Sequence, residues 1–275
     1  MQPRNAGSEW PRSKKAQGRF LAEQLRSEHE LAMGPLDHIE QLTELVDADL
    51  LITPLPDKVD ALTVRDPDTG HIVIGIATSK VPYRQNFSLA HEVGHIVAGD
   101  LEQPSVVNPC LNHDAETRAN SFAAHILCPL PSLPSQLEGR DPDTDEAVSH
   151  LVQRYKVSPR VVVTQLKRAG LISTEKASAL GRRWSTPRLA SRFGWKELYD
   201  LEVQRASTPR PAPRLVADAT QAYLDGLVSA EAVALARGIS PQQVRTELDG
   251  FIETPPMIAP PEDPLAALND FFGGD

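Results

Sequence analysis

The chain has 275 residues, 24% of them charged, and a formal net charge of −9. That length can bury one or two cores, and the acidity argues against generic nucleic-acid binding. The polar N-terminus has no apolar signal region, and no apolar run approaches the ~20 residues of a membrane span, so a cytoplasmic protein without a membrane partner is expected.

In chain order, residues 1–17 are polar and interrupted by Pro3, Gly7 and Pro11. They are expected to be disordered. Residues 19–31 and 35–46 read as helices, and 49–54 as a short strand. Residues 60–65 and 71–77 are β-rich runs joined by Asp66-Pro-Asp-Thr-Gly70, a turn sequence that predicts a hairpin. Residues 87–98 follow a helical period. At 100° per residue, Leu89, Val93, Ile96 and Val97 share an apolar stripe, while His91, Glu92 and His95 project from the other side. A second helical run starts at Glu116, with Glu116, Ala119, Asn120, Ala123 and Leu127 on one face. The small residues at 119 and 123 permit close approach to the first helix.

Residues 129–142 form a proline-punctuated loop, and 145–155 a helix. In Val157-Ser-Pro-Arg-Val-Val-Val-Thr-Gln-Leu166, Ser158 suits an N-cap and Pro159 the first helical position, and Gly170 suits the C′ position. Two short helices meeting there have a helix-turn-helix shape. Ile239-Ser-Pro-Gln-Gln-Val-Arg-Thr-Glu-Leu248, followed by Gly250, repeats the pattern, which reads as two uses of one capping sequence. Residues 151–214 hold 14 Lys and Arg against 4 Asp and Glu, interleaved with Trp184, Phe193, Trp195 and Tyr199. Nucleic-acid contact is one reading of that segment. A solvated basic face over core aromatics is the favoured one, because the second helix presents three valines rather than base-reading polar groups.

The expected organisation is therefore a disordered tail (1–17), a first domain holding the strands and the two paired helices (18–135), a basic helical segment (136–206), a Pro-rich linker (207–214) that is stiff and extended, a small helical unit (215–252) with Ser229 as a cap, and an acidic, disordered tail (253–275). The 2 cysteines, Cys110 and Cys128, are too few for a disulfide framework and suit a reducing compartment. The alternative is that one serves as a metal ligand or redox switch.

His91-Glu92-Val-Gly-His95 carries the chemistry. Two imidazoles four residues apart lie one turn apart on one helical face. Both can bind a single Zn²⁺, with Glu92 beside the metal as general base. An open catalytic site needs a third protein ligand. The metzincin pattern would place Gly at 98 and His at 101, where this chain has Ala98 and Leu101. Glu116, His113, Asp114 and Asp100 are the candidates, with Glu116 favoured because it opens the second helix. Tyr83, His113 and His125 are candidates for an additional oxyanion donor.

Arg84-Gln-Asn-Phe-Ser-Leu-Ala-His-Glu-Val-Gly-His95, followed by Glu116-Thr-Arg-Ala-Asn-Ser-Phe-Ala-Ala-His-Ile-Leu-Cys-Pro129, resembles the ImmA/IrrE metallopeptidases over roughly residues 42–171. The resemblance implies an α+β, zincin-like minimal peptidase, with a small antiparallel sheet packed on helices and helix-turn-helix-like segments after it. It implies His91, His95 and Glu116 as zinc ligands, Glu92 as catalytic base, and a protein substrate, namely a helix-turn-helix repressor or antitoxin. Cys128 departs from the family pattern, which has an apolar residue before the proline. The alternative function is a zinc-binding regulator that acts through the basic helical segment without proteolysis.

Overall fold

The computed structural model describes residues 11–101 and 113–251, which fall into two compact units divided between residues 213 and 214. Cys110, and most of the two tails expected to be disordered, lie outside the described residues.

The first unit is α+β. Helix α1 (Lys14–Glu28) begins inside the segment expected to be disordered, with Ser13 accepting from the Ala16 amide as N-cap. Its face of Gln17, Gly18, Leu21, Ala22 and Leu25 is buried, and that burial outweighs the polar composition around it. The helix expected over 35–46 shrinks to α2 (Gln41–Glu44). The reason is tertiary: Arg205 and Arg210 hold the Glu40 carboxylate at 2.8 and 3.0 Å, while Leu36 and Ile39 pack against the core from non-helical chain.

Strands β1 (Ala48–Thr53), β2 (Ala61–Arg65) and β3 (Ile72–Ala77) form one sheet in the order β1-β3-β2. The hairpin is where the turn sequence puts it. The Asp66 carboxylate accepts from the Asp68 and Thr69 amides, and Gly70 supplies the positive φ. The sheet is mixed, however, rather than antiparallel throughout: β1 runs parallel to β3. The chain reverses once into β2 and again into β3, so β1 and β3 share a direction. Arg210, in the segment expected to be a stiff, extended linker, bridges to Ile52 through two 2.8 Å backbone bonds beside β1. The outer edge of β2 has no such partner among the described residues.

Helices α3 (Pro82–Val97) and α4 (His113–Leu127) follow. After a 3-10 turn at Leu130–Ser132 come α5 (Leu133–Gln136), α6 (Asp145–Tyr155), α7 (Pro159–Arg168), α8 (Thr174–Arg183), α9 (Thr186–Arg192) and α10 (Lys196–Ser207). Ser158 caps α7, Pro159 opens it and Gly170 lies at positive φ just beyond it, as the sequence pattern requires. One hydrophobic core runs from Leu21 through Ile76, Phe122 and Leu151 to Tyr199, so it crosses the boundary expected near residue 135. Trp195 and Tyr199 are buried in it, with the Trp195 indole donating to Ser149 at 2.9 Å. Cys128 is fully buried, and burial pushes its thiol pKa up.

The second unit contains α11 (Pro213–Leu224), α12 (Ala230–Arg237) and α13 (Pro241–Leu248) around Tyr223, Val233, Ala234 and Val244. Ser240 caps α13 through the Gln243 amide. Ser229 occupies the N-cap position of α12 without a side-chain cap bond. Gly250 does not end α13 at positive φ; the chain continues as a 3-10 turn, Asp249–Phe251. No helix among the described residues is long and apolar enough to cross a membrane.

Candidate metal centre

Pro82 opens α3, where its missing amide costs nothing. Leu89, Ala90 and Val93 anchor the helix in the core, which turns His91 and Glu92 toward a cleft. Helix α4 lies alongside through Ala119, Phe122 and Ala123. Gly94 makes this close packing possible, because a Cβ there would stand 3.0 Å from the Phe122 ring. The first turn of α4 thereby delivers Glu116 to the two histidines.

The three side chains converge. His91 Nε2 and His95 Nε2 are 3.1 Å apart, and the Glu116 oxygens lie 3.3 Å from each of them. Bonds of 2.0–2.1 Å arranged tetrahedrally require donor separations of about 3.3 Å. Two imidazole nitrogens and one carboxylate at these spacings therefore fit a zinc ion with a position left open. Among the described residues this trio is the cluster whose donor atoms could hold a metal.

Asp100, entertained from sequence as a ligand, has a different place. It lies behind the trio, 2.8 Å from His95 Nδ1, and its other oxygen pairs with Arg118 on α4. A carboxylate there fixes the tautomer that leaves the Nε2 lone pair of His95 facing the cluster. Burial lowers the pKa of His95, but the hydrogen bond and charge of Asp100 more than reverse this. For His91, burial and then the neighbouring His95 hold the pKa below its ordinary value. His113 and Asp114 are exposed, and Asp114 lies 3.7 Å from the Lys14 ammonium.

Glu92 has a partner that sequence reading did not find. The Thr63 hydroxyl donates to Glu92 Oε2 at 2.6 Å. Thr63 pairs with Ile74 in the hairpin register, so it lies on the helix-facing side of β2. Strand alternation could have shown which way Thr63 points, but not what it meets. The cleft is about 560 Å³ and is walled by Ala61, Leu62 and Thr63 of β2 and by Phe87 and Ser88 of α3. Of the oxyanion candidates, Tyr83 is buried edge-on to Tyr199 at 5.6 Å. His125 is buried beside Gln165, its pKa lowered to about 4 by burial and then by Arg168 and Arg19. Neither they nor His113 line the cleft.

Residues 46–167 match a peptidase family described as the IrrE N-terminal-like domain. This segment is similar to the ImmA/IrrE peptidases. The radiation response metalloprotease IrrE of Deinococcus radiodurans is 39% identical over 97 residues, which cover 33% of this chain and 29% of that protein. The chain thus matches less than a third of that relative's length. The IrrE-like segment begins within the turn before β1 and ends in α7. It includes every residue of the trio together with Glu92, Thr63, Asp100 and Arg118.

Proposed function

We propose that this chain is a zinc-dependent endopeptidase of the ImmA/IrrE type that cleaves a regulatory protein. The observation that carries the reading is the convergence of His91, His95 and Glu116 with Glu92 next in sequence to the first ligand. A purely structural zinc site fills all four positions with protein ligands and has no use for an adjacent base. A bound zinc ion supplies a water of pKa about 7 and polarises the scissile carbonyl.

The protein's own groups do the rest. Glu92 takes the proton of the attacking water and returns it to the leaving amine. With Oε2 engaged by Thr63, Oε1 is the oxygen available for that transfer. Asp100 and Arg118 keep His95 oriented. The outer edge of β2 offers main-chain groups to an extended peptide, which favours cleavage in a loop or unfolded segment. The substrate class, a helix-turn-helix repressor or antitoxin, follows from the family resemblance.

The alternative of a zinc-binding regulator acting through the basic helices has less support. Helix α7 buries Val162, Val163 and Leu166 as a packing helix does, and its exposed cations alone offer only a sequence-independent attraction to phosphate. Co-expression with the helix-turn-helix regulators encoded nearest to this protein tests the reading. The wild type should give a discrete shorter regulator fragment that the Glu92→Gln variant does not, and intact regulators in both cases would refute it.

A further inference from the structure

Beyond the cleft, two more hollows continue in a row within the first unit. The cleft shares Arg84, Phe87 and Asn120 with a middle hollow, which in turn shares Lys15, Arg160, Thr164 and Arg168 with a third. The middle hollow is walled mainly by apolar groups, including Val81, Phe87 and Val161. The third is basic: Lys15 of α1, Arg160, Lys167 and Arg168 of α7, and Arg182 of α8 all border it.

These five cations are exposed, and among the described residues none has a carboxylate within 4 Å. Elsewhere in the unit Arg19, Arg84, Lys156, Lys196 and Arg205 each pair with one. Glu175, in the first turn of α8, is near enough to Lys167 to feel its charge, but it forms no ion pair with it. Gathering like charges from three helices is unfavourable without an anion to share. Arg168 is also partly desolvated, which lowers its pKa, and the group it donates to is the neutral Gln165 amide.

We propose that this hollow is an exosite for an acidic tract of the protein substrate, whose cleavable segment lies in the cleft and whose intervening residues cross the apolar middle hollow. The proposal rests on the peptidase reading for its link to cleavage. A peptide is the indicated occupant because the row is continuous with the cleft and passes over an apolar middle. The basic hollow also has no aromatic side chain among its lining residues on which a base could stack. Arg160 and Arg168 are eight residues apart on α7, about 12 Å along a helix rising 1.5 Å per residue. An extended chain covers that distance in about four residues, which sets the length of the tract.

The test uses the full chain carrying Glu92→Gln, loaded with zinc, and a fluorescein-labelled Gly/Ser peptide containing four consecutive glutamates. Anisotropy should show binding that weakens with salt, that disappears for the counterpart peptide with glutamines, and that falls at least tenfold in Arg160→Glu/Lys167→Glu. Lys80→Glu/Arg188→Glu, two exposed cations outside the hollow with the same total charge change, should bind as before. Equal affinity for the two peptides, or equal loss in both charge variants, overturns the proposal. So does a single-stranded oligonucleotide that binds through Arg160 and Lys167 where the glutamate peptide does not. Binding is read without turnover, so failure to cleave any regulator would sink the peptidase reading and leave this result standing.

Discussion

Two helix pairs share one core and do different things. In the α3–α4 pair, small residues and Gly94 draw two helices together until polar groups at their ends meet. In the α6–α7 pair, good caps and a valine-rich face draw two helices together with the apolar side chains inward. A turn-linked pair is thus a packing unit first, and what it does chemically depends on which polar side chains its neighbours leave uncovered. Changes in the first pair should alter metal binding and turnover with little effect on the metal-free fold. Changes in the second should do the reverse.

The sharpest way to break that contrast is Glu92→Gln. Loss of a general base should cut turnover by about 10²–10⁴-fold while zinc content by metal analysis stays at one per chain; normal cleavage of a regulator by this variant would falsify the base assignment. Asp100→Asn should weaken zinc about 10–100-fold, measured by competition with a chelator. A full-strength site in that variant would mean that His95 needs no orienting partner. On the other side of the contrast, Gln165→Leu removes a buried donor that reaches the Ala124 and Cys128 carbonyls at 3.1 and 2.7 Å. It should cost about 1–3 kcal/mol in urea denaturation of the metal-free protein and leave zinc affinity alone.

His125 gives that same interface a pH dependence. Its folded pKa, near 4, lies below the ordinary 6.5, so the unfolded chain binds more protons between those values. Stability is therefore complete above pH 6.5 and falls as the pH drops toward 4, by at most about 1.4 kcal/mol per unit from this group. His125→Gln should flatten that slope in apo-protein melts; an unchanged slope would locate the acid sensitivity elsewhere. The smallest effect belongs to Thr63→Val, which frees Glu92 Oε2. Turnover should fall several-fold with KM nearly unchanged, and Thr63→Ser should restore it. A loss confined to KM would make Thr63 a substrate contact rather than a positioning residue.

What was legible in the chain was local. The hairpin announces itself through Asp66 and Gly70, α7 through Ser158, Pro159 and Gly170, and α3 through its apolar stripe, because each depends on residues within a turn or two. The approach of Glu116 to the histidines was also readable, since it lies in the first turn of a helix whose alanines permit contact. The illegible parts depend on distant partners. Leu36, Ile39 and Leu42 have helical spacing, yet Glu40 is held by arginines 165 and 170 positions away. The parallel β1–β3 pairing follows from the path of the chain rather than from strand composition. Asp100 looked like a ligand because its chemistry is right, and only Arg118 and the far side of His95 show that it stands behind the cluster. Thr63 meets Glu92 across 29 positions, with no pattern in between to signal it.

The packing of α1 has a practical consequence. A Cβ on Gly18 would strike the Arg118 carbonyl at 2.1 Å, and the Ser121 hydroxyl donates to the Lys15 carbonyl at 2.6 Å. The first helix therefore braces the turn of α4 that carries Arg118, the partner of Asp100. That brace lies wholly upstream of residue 46, where the family match begins. An expression fragment trimmed to the recognised boundaries would discard the scaffold behind the His91, His95 and Glu116 cluster, so any attempt to make a minimal version of this protein should keep everything from Pro11 onward.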